Sequence, residues 1–293
     1  MKTIFRNSWC ALLLAVFFTT SCAAVDLAGS RGWFSNKGLG ARAIAMGEAF
    51  CAVADDASCV YWNPAGLVAF PSSQVTTMHS DIYGLGIMHD YVAWKGEKFG
   101  LLWEGANYQQ LAGFPCREDS ISLTFAKTWN LQRPIYWGVN LKGFSVMVDS
   151  PASKGTMQGI GLDLGLLAQL NNKTWLGFVV RDPVSYLKGE AQVADESWQL
   201  GEPLATEMNL GVSIRKDPRT LIAFECADLL NRPQARIGAE RWLSNSFAIR
   251  GGWNAADGLS GGVGIKFSNW TFDYTYVSAS LGASQKLAVT YSF

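Results

Sequence analysis

A strict alternation of apolar and other residues constrains this chain more than any other feature. In the last segment Leu287, Val289, Tyr291 and Phe293 are separated by alanine, threonine and serine. A period of two is the signature of a β-strand, because successive side chains point to opposite faces. Turn residues separate the alternating segments, which lie near 73–83, 87–95, 99–108, 119–129, 135–148, 158–170, 173–180, 204–215, 220–228, 235–242, 247–253, 262–267, 270–276 and 287–293.

The number and length of these segments predict an all-β fold, a transmembrane antiparallel β-barrel of about 14 strands over residues 73–293. A tilted strand needs about 9–11 residues to cross a bilayer. Every second connection is short, and we expect most of the others to be longer outer loops, with 181–203 the longest. Short turns at the periplasmic end and an even strand count are typical of outer-membrane barrels.

The composition agrees with strands that face lipid on one side. Hydrophobic residues make up 49% of the chain and charged residues 16%, yet the mean hydropathy is only +0.09. A helical membrane protein is more apolar than this, and a soluble domain carries more charge. Lysine plus arginine and aspartate plus glutamate number 24 each, which gives no basic surface for nucleic acid.

The first residues predict a cleaved signal peptide over 1–24. Lys2 and Arg6 precede an apolar stretch over 10–18, and small residues follow, so we expect cleavage after Ala23 or Ala24. A lipoprotein signal with Cys22 as the acylated residue is the alternative, although no large apolar residue stands three places before it.

The less apolar face of the strands collects charges of both signs. Charges buried in a barrel are costly unless they are paired or hydrated, so we expect these charges to pair across the lumen. The residues are Glu104, Asn140, Lys142, Asp163, Glu207, Glu225, Arg236, Glu240, Arg250, Lys266 and Asp273.

The stretch before the first strand has a different character. Small residues crowd 38–54, where we expect a short helix over 43–54 broken at Gly47. Asp55 and Asp56 then end this helix or cap the next turn, and 63–66 is a turn signal. Residues 25–72 are therefore predicted to form a compact segment that fits inside the barrel as a hatch.

This stretch resembles the N-terminal motif of the FadL-type outer-membrane transporters and their PorV-like relatives. The family pattern has the form G-A-R-A-x-x-M-G-x-A-F-x-A-x-A-D-D, followed by N-P-A-G-L. The stretches 236–240, 250–253 and 272–274 resemble the family's final strands. The residues matching the N-terminal motif are Gly40 to Met46, Gly47, Ala49, Phe50, Ala52, Ala54, Asp55, Asp56 and Asn63 to Leu67.

The resemblance implies a 14-stranded barrel plugged by an N-terminal hatch in the bacterial outer membrane. It implies a channel for hydrophobic small molecules such as long-chain fatty acids, with membrane lipids and a hydrophobic ligand as partners. The alternative is a PorV-like accessory or scaffold protein of protein secretion. The outer loops are shorter here than in the transporters, where they form the first capture site.

Three sets of site residues follow. Asn63, Pro64, Ala65 and Gly66, with Asp55 and Asp56, are predicted to form the hatch and gate. Arg236, Arg250 and Lys266 are candidates to meet the head group of a ligand. Leu287, Val289, Tyr291 and Phe293 resemble the signal read by the barrel-assembly machinery.

Catalysis has little support in the sequence. His79 and His89 are the only histidines, and neither has a partner at a spacing typical of a metal site or a catalytic triad. We therefore expect no enzyme activity, no metal and no cofactor. Cys51 and Cys59 are candidates for a disulfide, but unpaired buried thiols fit equally well.

Overall fold

The computed structural model describes residues 38–108, 115–149, 153–193, 196–200, 203–279 and 282–293, all in one compact unit. The predicted signal peptide, its alternative acylation at Cys22 and the first part of the predicted hatch lie outside these residues.

Three short helices precede a series of strands. The helices are Ala41–Ala45 (α1), Cys59–Trp62 (α2) and Gly66–Ala69 (α3). The strands are Gln74–Ile82 (β1), Ile87–Lys95 (β2), Phe99–Asn107 (β3), Cys116–Trp129 (β4), Ile135–Asp149 (β5), Ser153–Asn171 (β6), Thr174–Val193 (β7), Glu196–Leu200 (β8), Glu207–Asp217 (β9), Thr220–Ala227 (β10), Gln234–Trp242 (β11), Phe247–Asn254 (β12), Gly258–Phe267 (β13), Trp270–Ala279 (β14) and Gly282–Ser292 (β15).

The strands close into a ring. Consecutive strands pair antiparallel from β1 to β7 and from β9 to β15, while β1 pairs with β15 and β7 with β9. The short β8 pairs only with residues 189–193 of β7 and stands outside the ring. The fold is therefore a closed antiparallel barrel of 14 strands, as predicted.

Two expectations about the connections are corrected. The predicted loop over 181–203 is wrong, because β7 continues to Val193 and forms a hairpin with β8. A longer connection remains at 228–233, but the strands extend into the predicted loops at 149–157 and 254–259. The barrel wall is consequently taller along β4–β7 than elsewhere, because these strands have 14 to 20 residues.

The outer surface of the wall is apolar. Burial alternates along most strands, and the outward residues are mainly large and hydrophobic. Such a surface is what hydrocarbon requires of a barrel. Exposed examples are Trp94, Leu101, Leu123, Leu141, Leu164, Leu166, Leu210, Phe224, Ile237, Ile249, Ile265, Phe272 and Leu287.

The predicted helix over 43–54 is wrong in extent. The helix α1 ends at Ala45, and Gly47 and Glu48 both have a φ of 62°, which reverses the chain. Among the described residues, no helix has the length and apolar character that crossing a membrane requires.

Candidate functional site

Residues 38–70, called here the inner segment, lie inside the barrel. Helix α1 contacts β12–β15, α2 contacts β2 and β3, and α3 contacts β4 and β5. Residues 38–60 are almost all buried, and among the described elements the strands of the barrel wall surround them. Because these strands lie on different sides of the ring, the segment crosses the lumen. Side chains alone do not fill so wide a ring, and the inner segment occupies the space.

Inward-facing glycines mark where the inner segment touches the wall. A Cβ added at Gly138 would lie 2.5 Å from the carbonyl carbon of Pro64, and one at Gly252 would lie 2.6 Å from the Cα of Gly47. A larger residue therefore has no room at either position. The same holds at Gly165, Gly177, Gly238 and Gly262, whereas at Gly100 and Gly211 the added Cβ meets the movable end of the Val60 or Cys51 side chain. These eight residues are called here the glycine belt.

Arg42 of α1 ties the inner segment to the wall. Its Nε and Nη2 donate to the two carboxylate oxygens of Glu240 on β11, at 2.7 and 2.9 Å. Its Nη1 donates to Asp55 and, at 3.0 Å, to Asp56. Burial alone would lower the pKa of Arg42, but the surrounding carboxylates, Asp55 foremost, raise it above the ordinary value. Arg42 therefore stays charged inside the barrel.

The predicted head-group residue Arg250 belongs to the same cluster. Its Nε donates to Glu240 at 2.7 Å, and its Nη1 donates to Asp273 at 2.6 Å. Its side chain is only 1% exposed. The charge of Arg250 is thus held between two carboxylates of the wall.

Arg236, the second head-group candidate, is paired in a similar way. Its guanidinium lies 3.2 Å from Glu225 on β10 and 3.3 Å from Glu48 of the inner segment. Glu225 also accepts the backbone N–H groups of Phe50 and Cys51, at 2.9 and 2.8 Å. This second cluster therefore holds both the backbone and a side chain of the inner segment.

Arg181 was missed because the sequence placed it in a loop. It lies on β7, where its Nη2 donates to the carbonyl of Tyr61 at 3.2 Å. Its Cζ lies 4.5 Å from the centre of the Tyr61 ring, a cation–π geometry. It also pairs with Glu207 at 3.4 Å. The motif position of Arg42 was quoted from the sequence, but its pairing with Glu240 was not foreseen, because Glu240 lies 198 residues away.

The predicted gate residues form a tight turn against the wall. The Oδ1 of Asn63 accepts the N–H of Ala65 at 3.1 Å, and its Nδ2 donates to the carbonyls of Cys51 and Leu166, at 2.8 and 3.0 Å. Pro64 follows directly and packs on the glycine belt. The turn expected at 63–66 is confirmed, while its role as a gate stays a prediction.

Gly66 ends this turn beside a buried cation. Its carbonyl accepts a hydrogen bond from Lys95 Nζ at 3.2 Å, and Lys95 has no exposed surface.

Asp56 accepts the N–H of Ser58 at 2.9 Å in addition to its bond with Arg42. The capping expected of this aspartate pair is therefore made by Asp56, whereas Asp55 is bound to arginine.

A third cluster lies between β5, β6 and β7. Lys142 Nζ lies 2.7 Å from both Asp163 and Asp182, and Asn140 donates to the carbonyl of Val60 at 2.7 Å. A cavity of about 20 Å³ lies among these groups, and another of about 30 Å³ is lined by Glu48, Asn254 and Lys286. Each has room for little more than one water molecule.

The remaining predicted residues lie on the wall. Lys266 is on the inward face of β13, but it is exposed and lies one residue before this strand ends at Phe267. Tyr291 faces outward on β15 between Trp270 and Phe293, with ring centroids 4.7 and 5.1 Å away. Leu287 and Val289 lie on the same outer face. That the barrel-assembly machinery recognises these residues stays a prediction.

The cysteines and histidines form no catalytic arrangement within the described residues. Cys51, Cys59, Cys116 and Cys226 are all buried free thiols, which decides against the Cys51–Cys59 bridge. His79 is exposed on the outer surface. No group of three metal-binding side chains occurs in the part of the chain that the structure describes.

No family model matches the chain, and no curated protein does. Solved structures do. The chain is similar to the CymD monoaromatic hydrocarbon channel, with 15% identity, a TM-score of 0.58 and coverage of 87% of this chain and 98% of that one. It is similar to the toluene transporter TbuX of Ralstonia pickettii, with 13% identity, a TM-score of 0.59 and coverage of 89% and 100%. It is also similar to a FadL homologue of Pseudomonas aeruginosa, with 11% identity, a TM-score of 0.57 and coverage of 86% of this chain and 97% of that one. At these identities the similarity shows a shared fold.

Proposed function

We propose that this protein is an outer-membrane channel for hydrophobic small molecules, held closed by the inner segment. The observation that carries the proposal is a barrel crossed by a fitted internal segment, in the fold of a monoaromatic hydrocarbon channel and a toluene transporter. The apolar outer surface supports a place in a bilayer, and the signal peptide expected over 1–24 supports export.

The closed state follows from how little space the inner segment leaves. The two cavities described above, of about 20 and 30 Å³, are far smaller than a hydrocarbon ring. A cargo molecule therefore passes only when part of the inner segment moves. Removing apolar surface from water favours uptake by about 0.8 kcal/mol for each CH₂ group.

The paired arginines favour an uncharged cargo over a fatty acid. Arg236 and Arg250 each contact two carboxylates. A fatty acid carboxylate would have to displace one of these and leave it buried without a partner, which is strongly unfavourable. A neutral molecule such as a monoaromatic hydrocarbon makes no such demand.

We place the gate in the turn at Asn63–Gly66. This turn contains no charged residue of its own, so its movement away from the wall separates none of the ion pairs described above. Its contacts with Leu166 and Lys95 are single hydrogen bonds, one to a backbone carbonyl and one from a buried ammonium group.

The transport test uses vesicles with a lipopolysaccharide outer leaflet, which slows apolar solutes. The uncharged probe N-phenyl-naphthylamine brightens in an apolar environment, and its uptake is followed with and without the protein. We expect faster uptake of the probe with the protein and little effect on a labelled long-chain fatty acid. Equal rates for protein-containing and empty vesicles would refute the channel.

A reversible lock tests the gate. A Cβ at Gly100 would lie 2.7 Å from Val60 Cγ2, so cysteines at both positions are close enough for a disulfide. In a Cys59→Ala background, the Val60→Cys/Gly100→Cys variant should lose probe uptake when oxidised and regain it when reduced. Gly100→Cys alone is the matched control. Unchanged uptake in the locked protein would move the gate elsewhere.

A scaffold of protein secretion is the second candidate. The tightly filled lumen favours it, because a scaffold needs no passage. Purification from mild detergent separates the two: a stoichiometric protein partner without probe uptake supports the scaffold.

A further inference from the structure

The apolar outer surface carries a polar pair near the middle of two neighbouring strands. Strands around the ring present apolar or aromatic side chains at mid-height. They include Leu123, Leu141, Leu166, Phe178, Val212, Phe224, Ile237, Val263, Tyr274 and Leu287. On β1 and β2 the corresponding outward residues are His79 and Asp90, which are the sixth and fourth of nine residues in their strands.

These two residues form an exposed hydrogen-bonded pair. His79 Nδ1 lies 2.6 Å from Asp90 Oδ1, and the side chains are 62% and 42% exposed. In the strand register, His79 lies beside the outward Leu287 on β15, and Asp90 lies beside Gly105 on β3. The pair therefore lies between residues that offer it no hydrogen-bonding side chain.

The other polar side chains nearby each make a hydrogen bond within the barrel. Thr77 donates to the carbonyl of Tyr91 at 3.1 Å, Asp81 accepts the N–H of Gly86 at 3.0 Å, and Gln285 accepts the hydroxyl of Tyr274 at 3.2 Å. Within the described part of the chain, His79 Nε2 and Asp90 Oδ2 have no hydrogen-bond partner. In the net-neutral form of the pair, which hydrocarbon favours, Nε2–H is a donor and Oδ2 is an acceptor. A donor and an acceptor then point together into what would be hydrocarbon, where such groups are costly.

We propose that a second copy of this chain covers the β1–β2 face in the membrane, with His79 of each copy donating from Nε2 to the Asp90 of the other. This proposal rests on the barrel lying in a bilayer, which is part of the proposed function, but it does not depend on transport.

The symmetry of a membrane explains why a second copy fits. Two copies inserted in the same direction are related by a two-fold axis along the membrane normal, so residues meet at equal depth. His79 and Asp90 share one register row and hence nearly one depth. Because the pair offers one free donor and one free acceptor, it is complementary to itself. Val92 and Trp94 on β2 and Leu287 on β15 supply apolar contacts beside it.

Cross-linking at the outer surface tests the occupant. Thr77→Cys places a thiol beside the pair, and Phe224→Cys places one on the outer face of β10, on a different part of the wall. We expect disulfide-linked dimers in the membrane for Thr77→Cys and not for Phe224→Cys. The unmodified chain, whose native thiols are buried, gives the background. Equal dimer yields at both positions, or none at Thr77→Cys, would overturn the proposal.

A second variant tests the pair itself. The His79→Leu/Asp90→Leu double variant extends the apolar belt, so folding and insertion should be retained, and heat-modifiable gel migration checks this. We expect the dimer fraction in dilute proteoliposomes to fall about tenfold, the effect of losing a charge-assisted hydrogen bond. Phe224→Leu should leave it unchanged.

Two outcomes would contradict the second copy as the occupant. One is a dimer fraction that the double variant does not lower. The other is a native mass spectrum from membranes in which one copy is bound to a different protein through this face. Probe uptake measured on the same double variant distinguishes the two proposals. If the dimer test fails while probe uptake persists, only the dimer is rejected and the channel stands.

Discussion

The two halves of the inner segment are held by different kinds of interaction. Residues 38–56, the charged arm, contain Arg42, Glu48, Asp55 and Asp56, and all four bind charged partners. Residues 57–70, the neutral arm, contain no charged side chain at all. The neutral arm is held by close packing on glycines and by hydrogen bonds at Val60, Tyr61, Asn63 and Gly66.

The difference shows which half can move. Separating one partner of a buried ion pair leaves a charge without compensation and costs about 3–5 kcal/mol. A hydrogen bond between neutral groups contributes about 0.5–1.5 kcal/mol net, and one with a charged donor, as from Arg181 to Tyr61 or from Lys95 to Gly66, about 1.5–3 kcal/mol. The charged arm is therefore an anchor, and the neutral arm, which contains the predicted gate, is the part that opens.

The largest effect is expected from removing the carboxylate shared by two arginines. Glu240→Ala breaks one buried ion pair of Arg42 and one of Arg250, which keep only their remaining aspartate partners, so the free energy of unfolding in urea should fall by about 3–5 kcal/mol. Asp149→Ala removes the partner of an exposed pair with Lys154 and should change it by at most about 1 kcal/mol. Equal effects of the two variants would remove the basis for an anchored arm.

A bulky residue in the glycine belt should have the next largest effect. A valine at Gly252 meets the backbone of Gly47, whereas the neighbouring Gly251 has no atom within 4 Å of its added Cβ. Gly252→Val should therefore destabilise the barrel by about 1–3 kcal/mol. Gly251→Val should change the free energy of unfolding by at most about 0.5 kcal/mol. Both variants are measured by urea titration. Similar stabilities would mean that the inner segment does not press on the wall.

Asn63→Ala should loosen the neutral arm alone. The change removes the donor to two backbone carbonyls and the acceptor for the N–H of Ala65, a loss of about 1–3 kcal/mol. We expect faster probe uptake, because the closed state is weakened more than the open one. Asn172→Ala, at an exposed turn, is the control. Slower uptake by the Asn63 variant would argue against the gate.

The smallest effect is expected at Lys266. Its side chain is exposed near the end of the barrel and joins neither arm. Lys266→Ala should therefore leave uptake of the uncharged probe unchanged. A clear loss of uptake would show that a cation at this end takes part in transport after all.

Much of the fold could be predicted from the sequence because strands in a barrel wall obey a period of two. Strand boundaries such as Ile87–Lys95 and the inward charges such as Glu225 and Glu240 follow from that pattern alone. The helix over 43–54 was overestimated, since the sequence does not show that Glu48 adopts a positive φ. The pairing of Arg42 with Glu240 and the fit of Gly252 against Gly47 were also hidden, because both depend on distant parts of the chain meeting in the lumen.

Hydrogen–deuterium exchange of the protein in lipid nanodiscs tests the central claim most directly. If the charged arm anchors and the neutral arm opens, the amides of residues 57–70 exchange faster than those of 41–54, and the uncharged probe widens the gap. Equal exchange over the whole inner segment, or faster exchange in the charged arm, would contradict this account.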